Sequence, residues 1–174
     1  MLPFSNRERT AVVIESPPNL KDQWSPNARW PRRRAEAVLA RFQKLFPDLV
    51  YDLYWETNSV NAQAFVLNNR KHIRLYGGLA RHRRISYAGI AFAIAHETGH
   101  LLAGAPFDSV YFWLSNEERA DEWAWSDGMR LAFGSQRGPL LANRGLGELL
   151  SMSGADDIER TRRIAMLRHR LDMS

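Results

Sequence analysis

His96-Glu97-Thr98-Gly99-His100 has the residue types and the spacing of a metal-dependent catalytic site. Two histidines four positions apart lie on one face of an α-helix, so both imidazoles can bind a single cation. Glu97 lies beside them, where a carboxylate can act as a general base. The segment therefore predicts a zinc site with His96 and His100 as ligands and Glu97 as the catalytic base.

The alternative is a pair of core histidines with an ordinary helical glutamate. The preceding residues Ala88 to Ala95 are the most apolar run of the chain. Burying two imidazoles and a carboxylate in such a helix costs free energy unless a partner compensates. The chain also has no cysteine, so any metal must be held by histidine and carboxylate groups. These points favour the metal site.

A catalytic zinc site with two histidines needs one more protein ligand, because such sites use three protein ligands and a water. The candidates after His100 are Asp108, Glu117, Glu118, Asp121, Glu122 and His169.

A helix start helps to sort these candidates. Ser115 to Glu118 has the pattern of a capping box, which gives Ser115 the N-cap and Glu118 a local role in capping. Glu117 and Asp121 share one helix face, so one can bind the metal while the other supports it. We expect Glu117 to be the ligand and Asp121 to support a zinc-bound histidine. The alternative for Glu117 is an acid stabilised by the helix dipole.

The surrounding elements predict an α+β fold with a small mixed sheet of about three strands, an active-site helix and flanking helices. Short runs rich in aromatic and β-branched residues predict strands at 49–55, 60–67 and 72–76. Apolar periodicity with capping and stop signals predicts helices at about 30–46, 86–103, 116–133 and 139–150, and from 156 or 157 to 171. The third of these ends at Gly134.

The second metal motif carries a resemblance to a known family. Glu117-x-x-Ala120-Asp121, seventeen positions after His100, resembles the third-ligand motif of gluzincin metallopeptidases. The similarity is to the family of CAAX prenyl proteases and HtpX-like proteases, in its soluble minigluzincin form. The segments 61–65 and 73–79 are similar to the two strands before that family's active-site helix, and Arg163-Ile164-x-x-Leu167 resembles its late arginine motif.

The resemblance implies a zinc metalloendopeptidase with one catalytic Zn2+. Glu97 would take a proton from a zinc-activated water that attacks the peptide carbonyl. An extended peptide or protein substrate would pair with the strand formed by Asn61, Ala62, Gln63, Ala64 and Phe65. The family's His-Pro before the late arginine is absent here, where the chain reads Ser153-Gly154-Ala155. In the family, that histidine helps to stabilise the transition state, and the candidates to replace it in this chain are Arg163, Tyr111 and His169.

A regulatory protein that cleaves or binds a single protein partner is the alternative function. The ImmA/IrrE proteins have the same ligand types, and their third-ligand motif is similar to Glu117-x-x-Ala120-Asp121-x-Trp123-Ala124. That motif usually lies farther from the first two histidines. The spacing in this chain therefore favours the minigluzincin form.

The rest of the chain suggests a cytoplasmic protein without a membrane span. Met1 to Thr10 has no apolar stretch of signal-peptide length, and Ala88 to Ala95 is too short to cross a bilayer. Residues 1–27 are expected to form an irregular arm and 28–174 a single domain. The oligomeric state is left open.

Two surface features leave alternatives open. The basic face of the first helix and the segment Arg81 to Arg84 are interpreted as solvated, so nucleic-acid binding is not expected. The aromatic residues between Ala105 and Leu114 either line a cleft next to the metal or form a hydrophobic plug between two helices.

Overall fold

The computed structural model describes residues 19–152. The architecture is α+β, as the sequence predicts, and a mixed sheet of three strands packs against helices. The predicted helix from 156 or 157, Arg163 and His169 lie outside the described residues, as do residues 1–18 of the predicted arm. None of the helices within 19–152 combines the length and the hydropathy that crossing a membrane requires.

Helix α1 (Arg29–Leu45) packs against the first strand of the sheet. Pro31 lies in its first turn, where its missing N–H costs nothing. The helix buries Ala35, Val38 and Phe42 along one face, at the helical spacing that the sequence shows. Pro47 follows within two residues of its end, because proline cannot continue a helix. The predicted helix at about 30–46 is confirmed.

The sheet consists of β1 (Val50–Tyr54), β2 (Ala62–Leu67) and β3 (Arg70–Tyr76). Its order is β1-β3-β2, with β1 parallel and β2 antiparallel to β3. Asn68 and Asn69 form the turn between β2 and β3 with φ of 49° and 59°, a conformation that asparagine tolerates well. Strand β2 is an edge strand, because no strand of the described chain pairs with its other side. The three predicted strands are confirmed.

A short helix α2 (Gly77–Arg81) follows the sheet and leads into the central helix α3 (Tyr87–Leu102). The sequence does not predict α2. The Ser86 side chain caps α3 by accepting a hydrogen bond from the Ala88 N–H, as predicted. Gly104, with φ of 77°, turns the chain just after the helix. Helix α3 is buried along nearly its whole length, which places the metal motif inside the protein.

The helix that follows the metal motif starts one residue later than predicted and contains a π-helical segment, whereas its break at Gly134 is the predicted one. It comprises α4 (Glu117–Trp123), a π-helical segment (Ala124–Gly128) and α5 (Met129–Met152), which is interrupted at Gly134 with φ of 85°. The N-cap of α4 is Asn116, whose side chain accepts from the Arg119 N–H at 2.9 Å. The prediction of Ser115 as N-cap is wrong, because its hydroxyl donates instead to the Gly104 carbonyl at 2.7 Å.

The segment Arg81 to Arg84 also differs from its prediction as a solvated loop. The Arg81 side chain is fully buried and donates to the carbonyls of Trp55 and Thr57 and to the side chain of Asn58. These acceptors compensate for the loss of water around the guanidinium group. Arg83 and Arg84 remain exposed. Arg81 is therefore a structural residue that fixes the loop between β1 and β2.

Candidate metal centre

Helix α3 places His96 and His100 on one buried face. Both side chains are 3% exposed, and their Nε2 atoms lie 3.0 Å apart. This is the juxtaposition that the four-residue spacing predicts. The two imidazoles therefore present their Nε2 atoms to one point in space.

Glu117 joins them from the first turn of α4. Its Oε2 lies 3.3 Å from the His96 Nε2, and its Oε1 lies 3.4 Å from the His100 Nε2. Ligands at about 2.0 to 2.1 Å from a tetrahedral zinc are separated from one another by about 3.3 Å. The three side chains form a group that could hold a metal ion. The distances between their donor atoms fit zinc coordination.

Hydrogen bonds at the far side of each ring determine which nitrogen carries the proton. The His100 Nδ1 lies 2.7 Å from the Ser115 carbonyl oxygen, and the His96 Nδ1 lies 2.8 Å from the Asp121 Oδ1. Both partners are acceptors, so both Nδ1 atoms donate. In the neutral rings the lone pairs are therefore on the Nε2 atoms, which face each other and the Glu117 carboxylate. This arrangement suits a cation held among the three groups.

The two imidazoles differ in their protonation. Burial lowers the pKa of His96, but its hydrogen bonds with Asp121 and Glu117 outweigh this effect and hold the pKa well above its usual value. Burial and the neighbouring His96 lower the pKa of His100 to about 4. His96 therefore favours the charged form and His100 the neutral form.

Glu97 lies next to this group and is fully buried. Within residues 19–152, neither of its carboxylate oxygens has a well-formed hydrogen bond. Burial raises the pKa of Glu97 to about 7, although His96 and the nearby backbone N–H of Ala64 partly offset this effect. A carboxylate with a pKa near neutrality can both accept and return a proton.

Strand β2 lies beside Glu97. The segment from Ala62 to Phe65 is buried, and the Ala64 N–H is close enough to Glu97 to affect its pKa. The Gln63 side chain accepts from the Tyr76 hydroxyl at 2.6 Å, and the Asn61 carbonyl accepts from the Tyr76 N–H. The structure therefore brings the predicted substrate strand next to the site. Its role in binding substrate stays a prediction.

The aromatic residues between α3 and α4 do not form a buried plug. Phe107, Phe112 and Trp113 are exposed, whereas Tyr111 is half-buried and packs at the margin of the core. Nothing in the structure tests whether Tyr111 stabilises a transition state. The same holds for Arg163 and His169, which lie outside the described part of the chain.

Ser115 is a site residue that the sequence does not identify. Its carbonyl orients the His100 ring, and its backbone N–H donates to the His100 carbonyl at 2.8 Å. These contacts use backbone groups, which every residue type has, so no sequence signal points to them. The Ser115 side chain only suggested a helix cap.

Comparisons with models of protein families, with characterised proteins and with solved structures find no match to this chain. The resemblance to gluzincins therefore rests on the sequence motifs alone and stays a prediction.

Proposed function

We propose that this protein is a zinc-dependent metallopeptidase of the gluzincin type that hydrolyses peptide bonds. One observation carries the proposal. The Nε2 lone pairs of His96 and His100 and the Glu117 carboxylate converge at tetrahedral separations, while the Nδ1 atoms are held by Asp121 and Ser115. Two histidines and one glutamate are the protein ligands of a known class of catalytic zinc sites.

The ligand set fits zinc better than harder cations. Imidazole nitrogen suits zinc, whereas magnesium and calcium prefer oxygen ligands alone. A zinc ion at this position supplies Lewis-acid chemistry, since it acidifies a water molecule and polarises a carbonyl group. Within this chain, Asp121 and the Ser115 carbonyl keep the two imidazoles in the orientation that coordination needs.

Glu97 supplies the proton transfer in this proposal. Its buried carboxylate accepts a proton from the attacking water and then returns it to the leaving amine. The pKa of about 7 suits both steps, and the lack of a strong hydrogen bond leaves the oxygens available. The buried helix around Glu97 keeps bulk water away from the carboxylate.

The unpaired edge of β2, which is exposed at Val66 and Leu67, offers a binding site for an extended peptide. Such an edge binds a peptide through main-chain hydrogen bonds, which do not depend on the peptide's sequence. Because Ala64 lies beside Glu97, a peptide on this edge has its backbone next to the catalytic carboxylate. The substrates are therefore unstructured polypeptide segments.

Metal analysis combined with casein cleavage tests the proposal. The wild-type protein and Glu97→Gln should both retain about one zinc per chain, and only the wild type should cleave casein, because glutamine cannot accept the proton. Loss of zinc from Glu97→Gln would show that the substitution disturbs the site instead. A freshly purified, unchelated wild-type protein without zinc would overturn the proposal. Zinc without any cleavage of casein would favour a regulatory protein that acts on one partner.

A further inference from the structure

The loop between α3 and α4, residues 103–116, exposes several large apolar side chains. Phe107 is 49%, Val110 53%, Phe112 76% and Trp113 39% exposed. Leu102, the last residue of α3, is 41% exposed. Single apolar residues at a surface are common, but several within one short segment indicate a binding surface.

The backbone of this loop is held by hydrogen bonds. The Asp108 carboxylate accepts from the backbone N–H groups of Val110 and Tyr111, both at 2.8 Å. The Asp108 N–H donates to the Leu114 carbonyl at 2.8 Å, and Leu114 is buried. The exposed side chains therefore project from a fixed scaffold, and a ligand can bind them without first ordering the loop.

The loop is joined to the metal centre at both ends. It begins directly after α3, which carries His96 and His100. At its other end, Ser115 bonds to the backbone and to the ring of His100, and Asn116 caps the helix that carries Glu117. Both ends of the loop are therefore anchored at the candidate metal ligands.

Strand β2 and helix α3 lead from Glu97 towards the loop. Ala64 lies beside Glu97, near the middle of α3. Two residues further along β2, Val66 pairs with Lys71, whose Nζ donates to the Leu101 carbonyl at 3.1 Å. Both elements thus run in the same direction from Glu97, and α3 ends where the loop begins.

The distance along the strand sets the position that the loop can reach. A strand rises about 3.3 Å per residue. In a peptide extended along β2, the residue that lies at the end of α3 is therefore about two or three positions away from the bond beside Glu97. Leu67 and Leu102, which are 38% and 41% exposed, lie at this same end.

We propose that the loop 103–116 selects the substrate, by binding a bulky apolar side chain two or three residues from the cleaved bond. This proposal rests on the proposed peptidase function. The substrate class is then unstructured polypeptide with phenylalanine, leucine or methionine at that distance on one side. A peptide is favoured over a second copy or a lipid surface, because the loop is anchored at the candidate metal ligands and the unpaired edge of β2 runs towards the end of α3, where the loop begins.

Paired peptides test this assignment. The two peptides differ only in phenylalanine or alanine at the third residue from the cleavage site, which is first mapped on casein by mass spectrometry. We expect the wild type to favour the phenylalanine peptide by about tenfold or more in kcat/KM. Phe112→Ser and Trp113→Ser should reduce this preference to about threefold or less, with zinc content unchanged.

Leu140→Ser provides the matched control, because Leu140 on α5 is 71% exposed, similar to Phe112. This variant should keep the wild-type preference. Equal preference in wild type, Phe112→Ser and Trp113→Ser would overturn the role of the loop. The role of the loop would also be overturned if the loop variants kept the cleavage preference but lost dimerisation or binding to phosphatidylglycerol vesicles. A wild type that cleaves neither casein nor the peptides would overturn the peptidase function itself, and with it this inference.

Discussion

Asp121 and the Ser115 carbonyl determine how well the two histidines can bind a cation. Each accepts the Nδ1 proton of one ring and leaves the Nε2 lone pair directed at Glu117. Asp121 is 6% exposed, so its charge is poorly screened by water and acts strongly on His96. The ability of the group to hold a cation therefore depends on Asp121 and the Ser115 carbonyl as well as on the three candidate ligands.

Asp121→Asn should weaken zinc binding by about 10- to 100-fold, because the amide is a poorer acceptor for the His96 Nδ1 proton. The measurement is zinc competition against a chromophoric chelator. Glu122→Gln is the control, since Glu122 lies on the same helix but pairs with Arg119 at 2.8 Å. Equal zinc affinity in wild type and Asp121→Asn would contradict a supporting role for Asp121.

The residues of the site were predictable to different degrees. His96, Glu97 and His100 form a motif whose spacing specifies its own geometry. Glu117 and Asp121 could be chosen because their spacing places them on one helix face. The Ser115 carbonyl could not be predicted, because a backbone contact between distant residues depends on tertiary structure alone.

At the scale of elements, the packing of α5 against α3 depends on Gly145. A Cβ atom at this position would lie 2.3 Å from the Ala88 carbonyl oxygen, so the two helices can approach closely only with glycine there. Gly147, two residues later on α5, has open space around it. Substitution by alanine is therefore expected to change the stability of the protein in opposite directions at the two positions.

Gly145→Ala should destabilise the protein by about 1 to 3 kcal/mol, because the clash is with backbone atoms that cannot rotate away. Gly147→Ala should instead stabilise it by about 0.5 to 1 kcal/mol, through the higher helix propensity of alanine. Urea denaturation monitored by circular dichroism gives both values. A neutral effect of Gly145→Ala would show that α5 can move away from α3.

Elements with strong local signals were predicted, and those decided by tertiary contacts were not. The strands and α1 follow from alternation, periodicity and turn residues, and α3 follows from its Ser86 cap and its apolar run. The start of α4 was misplaced by one residue, because both Ser115 and Asn116 can cap a helix and the Gly104 carbonyl takes the Ser115 hydroxyl. The π-helical segment has no such local signal.

At the scale of the whole molecule, the candidate metal centre connects α4 to α3, which the core already holds. The apolar core includes residues from α1, the sheet, α3 and α5. The described chain therefore has a core that does not depend on the ligands, while Glu117 of α4 is tied to α3 through the centre. Metal should stabilise the fold without being required for it.

Removal of zinc with a chelator should leave the far-ultraviolet circular dichroism spectrum largely unchanged but lower Tm. Binding to the native state alone adds RT ln(1 + [Zn]/Kd), about 2.7 kcal/mol when free zinc is 100 times Kd. Differential scanning calorimetry with added zinc measures the shift. The variant Glu117→Ala should show a much smaller shift, and complete unfolding on chelation would contradict the independence of the core.

The open edge of β2 also has a consequence for how the protein behaves at high concentration. An unpaired strand edge accepts any extended chain, including the same strand of another molecule, and is a known starting point for aggregation. The strand is short, and the charged Arg70 and Lys71 follow its turn, which limits such pairing. The unpaired edge, which is exposed at Val66 and Leu67, thus favours self-association, and added extended peptide should suppress it by occupying the edge.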